Sequence, residues 1–133
     1  MTVAEMLAEF HAAVSHPETN ALWTRTTLHE EEHAELIEAL RALAEDEQRH
    51  FMEPWRIADL EAAARELADV VYVAYGTAHA LGIDLEAALA EVHRANMSKA
   101  DGPRRADGKV LKPEGFIPPD MGAAVGRRRR GEA

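Results

Sequence analysis

Cysteine is absent from the 133 residues, and that absence excludes disulfide scaffolds, thiolate zinc sites and cysteine nucleophiles together. No run approaches the roughly 18 to 20 uninterrupted apolar residues that a membrane span requires. The opening MTVAEMLAEFHAAVSH carries no basic leader ahead of an apolar stretch. A cytoplasmic protein with no membrane partner is therefore expected. Alternating Val/Ile/Thr runs bounded by Asn-Gly turns are missing, which argues against strands. No segment is an internal repeat. Neither G-x-S-x-G nor a Walker A glycine loop occurs, so covalent serine chemistry and P-loop chemistry lack their parts.

Apolar residues make up 47% of the chain and charged residues 29%, the composition of a folded domain rather than a disordered one. The length allows one core. The net charge of −9 is unevenly spread: residues 1–100 hold 7 Lys and Arg against 19 Asp and Glu, and residues 101–133 hold 8 against 5. An acidic body repels nucleic acid, so no nucleic-acid partner is expected. A polyanionic ligand would bind only where metal ions or local basic residues reverse the field.

Between residues 2 and 100 the apolar spacing follows the helical period and predicts four helices. The first has Thr2 as N-cap with Glu5 three residues on, then Val3, Met6, Leu7, Phe10 and Val14 on one face, and stops near Ser15-His16-Pro17. The second runs from about Ala21 to Arg49 with Leu36, Ile37, Leu40 and Leu43 as its apolar stripe. The third spans about Trp55 to Leu81, and Gly82 supplies a left-handed C-cap. Asp84 caps the fourth, which carries Leu85, Leu89 and Val92 and continues to about Ala100. Residues 101–120 are expected to form an ordered or ligand-ordered loop, which closes a single domain over 1–120. From Met121 the chain is expected to be a mobile tail, with Arg127 to Arg130 as a solvated run.

Two acidic clusters lie on successive helices. LHEEEHAELIEAL places Glu31, Glu32 and Glu35 on neighbouring parts of one face, where like charges repel. ARELADVVYVAYG places Glu66 three residues before Asp69, and Asp69 leads directly into an apolar run. A buried carboxylate is protonated, paired or bound to a cation. Helices pack about 8 to 10 Å apart, a gap that opposed Glu and Asp side chains bridge through one or two Mg2+ ions. The alternatives are a solvated acidic face and, as a different class, a non-enzymatic helical interaction module whose acidic groove binds a basic partner. His29-Glu30-Glu31-Glu32-His33 also satisfies H-E-x-x-H, a zinc hydrolase pattern. Here it lacks a third ligand at a metzincin spacing and a substrate-aligning strand.

EExxE on one helix (Glu31-Glu32-His33-Ala34-Glu35) followed by ExxD on the next (Glu66-Leu67-Ala68-Asp69) resembles the MazG-like all-α nucleoside triphosphate pyrophosphohydrolases. The similarity runs over about residues 3–120. It looks closest to small bacterial members that prefer dUTP, and to the related phosphoribosyl-ATP pyrophosphohydrolase domain. The resemblance implies an all-α four-helix bundle and hydrolysis of a nucleoside triphosphate, dUTP-like, to the monophosphate and pyrophosphate. It implies Mg2+ or Mn2+ held by Glu31, Glu32, Glu35, Glu66 and Asp69, and assembly as a homodimer or dimer of dimers. Asn96, Lys99, Arg104, Arg105, Lys109 and Lys112 match a region associated with the nucleotide phosphates. With no protein nucleophile legible, water attacks, and Glu32 or Glu35 is the candidate base. Phe10, Trp23, Tyr72 and Tyr75 are candidates to stack on a nucleobase, with core packing the favoured role for each, and His93 or Asn96 could read a base edge.

Overall fold

The computed structural model describes residues 1–14 and 21–126. The fold is all-α, and the described residues form four substantial helices and one short one: α1 (Val3–Val14), α2 (Leu22–Arg49), α3 (Ile57–Leu81), α4 (Leu85–Met97) and α5 (Gly122–Val125). No strand forms among the described residues, where a single isolated bridge pairs Arg104 with Val110. Among the described residues no helix is long and apolar enough to cross a membrane. Packing groups the chain into two compact units, Met1–Leu81 and Gly82 onward.

In the first unit α1 and α2 both pack on α3. Reciprocal capping starts α1: Thr2 Oγ1 accepts from Glu5 N at 3.1 Å, and Glu5 Oε2 accepts from Thr2 N at 2.6 Å. Leu7 is the one large side chain fully buried among the described residues, at 1% exposure. On α3 the buried positions are Ala63, Gly76 and Ala78, small residues that let neighbouring helices approach closely. The predicted stripe of α2 is only partly covered. Ile37 and Leu40 remain exposed, and the buried residues of α2 are Arg25 and Asp46.

In the second unit Asp84 caps α4 by accepting from Ala87 N at 3.1 Å, and Gly82, at φ 69°, turns the chain ahead of it. The helix ends at Met97 rather than near Ala100. The segment after it is ordered: Arg105 N donates to Lys109 O at 2.8 Å around Gly108, whose φ is 90°. Glu91 Oε2 accepts from Arg94 Nε and from Asp120 N, both at 3.1 Å, and so ties the segment back to α4. The start of a mobile tail was expected at Met121. Residues 122–125 instead form α5, where Ala124 is buried and its carbonyl accepts from Asp84 N at 2.9 Å. The Ser15-His16-Pro17 stop and the arginine run fall outside the described residues.

Candidate metal centre

The carboxylates of α2 and α3 converge. Glu32, Glu35 and Glu66 each offer an oxygen, and these atoms lie within 4.8 Å of one another. Glu32 and Glu66 are half-buried while Glu35 is exposed. Glu32 Oε2 and Glu66 Oε2 are buried atoms with no hydrogen-bond partner among the described residues. Burial is the main cause that raises the Glu32 carboxyl above its ordinary value, followed by the charges of Glu35 and Asp69. Glu66 is raised by burial and then by Glu35. Buried acceptor oxygens without donors, crowded by like charge, are what a hard divalent cation satisfies. The donor set is all oxygen and fits Mg2+ or Mn2+ rather than a thiophilic metal.

Asp69 is half-buried on the next turn of α3, near enough for its charge to raise both Glu32 and Glu66. Glu31 is exposed and lies outside the converging set. In the second unit Lys99 Nζ and Lys112 Nζ approach the Phe116 ring, 5.4 and 5.6 Å from its centroid. Two ammonium groups on one ring form a basic point. The Arg104 guanidinium reaches the carbonyls of Gly108 and Ala100, each at 3.4 Å. Arg105 is paired with Asp107, which also accepts from Lys109 N. Asn96 is exposed, and its backbone carbonyl accepts from Lys99 N.

His29 does not behave as a zinc ligand. Its Nε2 is 2.8 Å from Thr77 Oγ1, and the only metal-competent group among the described residues is the glutamate set. Trp23 corrects the expectation of core packing, because it is 85% exposed. Phe10 and Tyr72 meet edge to face at 5.6 Å between centroids. Arg25, which the sequence reading passed over, is 4% exposed. An arginine near a helix start gives no local sign of burial, since the space it fills is made by a glycine on another helix.

An all-helical unit with carboxylates gathered across two helices defines a class of metal-assisted enzymes. The family model for phosphoribosyl-ATP pyrophosphohydrolase matches residues 7–96, and the chain belongs to that family. No curated protein matches the chain at a significant level. The protein is thus a pyrophosphohydrolase, a hydrolase acting on nucleotide phosphoanhydride bonds, which displaces the non-enzymatic interaction module as a reading. Members of the family are typically dependent on a divalent metal, in keeping with the glutamate cluster.

Proposed function

We propose that the chain hydrolyses a nucleoside triphosphate of the dUTP type to the monophosphate and pyrophosphate, with Mg2+ held by Glu32, Glu35, Glu66 and Asp69, and with Glu31 close by. The observation that carries this reading is the pair of buried, donorless oxygens on Glu32 and Glu66 beside Glu35. When bound, the cation neutralises phosphate charge and lowers the pKa of water. The protein's own part is to hold four carboxylates in opposition and to take up a proton. Glu32 or Glu35 is the base in this reading, a carboxylate of the set not fully committed to the metal that takes up the proton from attacking water. In the second unit, Lys99 and Lys112 beside Phe116, with Asn96, Arg104, Arg105 and Lys109, are the phosphate-binding residues that the family resemblance suggests.

The functional form in this reading is a homodimer or dimer of dimers. Ile37 and Leu40 stand exposed on α2, and an open groove on that helix is lined by Ala34, Ile37, Glu38, Arg41, Ala42 and Glu45. A second copy is the natural cover for such a stripe. The cytoplasm is the compartment that fits a cysteine-free enzyme acting on nucleotides. A panel of deoxynucleoside and ribonucleoside triphosphates with phosphoribosyl-ATP, each with Mg2+ and scored for pyrophosphate, tests the reading. Fastest release from dUTP is expected. Release of orthophosphate without pyrophosphate would overturn the proposed reaction, and preference for phosphoribosyl-ATP would overturn the substrate.

A further inference from the structure

We propose that Arg25 is a positioning residue that fixes the register of α2 against α3 and so holds Glu32 and Glu35 opposite Glu66 and Asp69. The proposal rests on the reading of that cluster as the metal centre. Arg25 is 4% exposed, and its guanidinium spans the two helices. Nε donates to Thr77 Oγ1 at 2.9 Å and Nη2 donates to the Val73 carbonyl at 2.8 Å. The same Thr77 hydroxyl shares a 2.8 Å hydrogen bond with His29 Nε2. One α3 residue therefore receives two side chains from α2.

Sequence spacing puts this network on the same seam as the carboxylates. Arg25, His29 and Glu32 fall at i, i+4 and i+7 of α2, and Asp69, Val73 and Thr77 at i, i+4 and i+8 of α3. The seam passes from acidic at Glu35 and Glu66 to basic at Arg25 within a few turns. Repulsion at the acidic end tends to spread or rotate the helices when no cation is bound. A two-point clasp about two turns away opposes that movement, and it does so directionally, because a planar fork satisfies two acceptors in one fixed orientation.

Gly76 shows that the berth is built for this side chain. A Cβ there would lie 2.6 Å from Arg25 Nη2 and 3.3 Å from His11 Nε2. Glycine inside a helix costs about 1 kcal/mol relative to alanine, yet here it faces the guanidinium in the C-terminal part of α3. Alanine would push Nη2 off the Val73 carbonyl.

The test uses the full chain with Thr77→Val, Thr77→Ser, Gly76→Ala and Arg25→Lys, and with Thr2→Ala as a variant that weakens a helix end away from the seam. Mn2+ affinity is measured by calorimetry, alongside kcat at saturating Mn2+ and thermal unfolding. Thr77→Val, Gly76→Ala and Arg25→Lys are expected to weaken Mn2+ binding about 10-fold and to lower kcat by about 10- to 100-fold. Thr77→Ser keeps the hydroxyl and should retain wild-type affinity, as should Thr2→Ala. Unchanged Mn2+ affinity in folded Thr77→Val and Gly76→Ala overturns the positioning role while leaving the metal centre standing. Equal losses in Thr2→Ala, or in Thr77→Ser, also overturn it, because they would mark general loosening. A wild-type protein that binds no Mn2+ overturns both readings.

Discussion

Glu32 and Glu66 hold their protons more tightly in the folded chain than in the unfolded one, with burial the first cause and neighbouring carboxylates the next. A raised carboxyl pKa stabilises the fold at low pH, and that stability is lost as pH rises through the folded value. The window lies above the ordinary value of 4.5. Glu91 and Asp107 are shifted the other way by hydrogen bonds, so their contribution is lost only below their ordinary range, whereas His29, held below its ordinary 6.5 by burial and by the Arg25 charge, loses stability as pH falls through that value and opposes the carboxylates. Measured against Glu66→Gln, which keeps His29, the melting temperature of the metal-free protein should therefore climb as pH is lowered from about 7 toward about 5. Glu66→Gln should raise the metal-free melting temperature at neutral pH and flatten the climb, while lowering turnover by about 100-fold or more. Scanning calorimetry with chelator, paired with pyrophosphate release, checks both; a melting-temperature difference between the two proteins that does not narrow as pH falls counts against the crowded carboxylates. The acidic residues were legible in the sequence because their spacing is local and their types are unusual together. Arg25 was not, since its burial depends on the missing side chain of Gly76.

Helix starts were the most readable elements. Thr2 with Glu5, and Asp84 with Ala87, form hydrogen bonds within one turn, so a window of a few residues contains all of the physics. Removing either cap should destabilise its unit: Thr2→Ala and Asp84→Ala are each expected to cost about 1 kcal/mol. Urea unfolding should show this as a lower midpoint with an unchanged slope. The interior was less readable. The apolar period of α2 marked Leu36, Ile37, Leu40 and Leu43, yet two of these stay exposed. Burial instead went to Arg25 and Asp46, and the Arg25 partners, Val73 and Thr77, lie on another helix. The short α5 was missed for a similar reason, because its tie to Asp84 is invisible in GAAV taken alone.

For the molecule as a whole, the proposed reading gives the exposed α2 stripe and the carboxylate seam two separate partners, a second copy and a cation. Ile37→Glu places a charge on the exposed stripe and should shift the proposed homo-oligomer to monomer without removing the Glu32–Glu35–Glu66 convergence. Light scattering coupled to size exclusion measures the shift, and an unchanged mass would show that this stripe is not the contact. The two halves of the cluster reside on consecutive helices, α2 and α3, with only residues 50–56 between them. Joining neighbours in the chain closes a small loop, which favours rapid assembly. That same closure drives like charges together at the moment the hairpin forms. Ionic strength and divalent ions thus act on the speed at which the native state is reached, as well as on how firmly it persists.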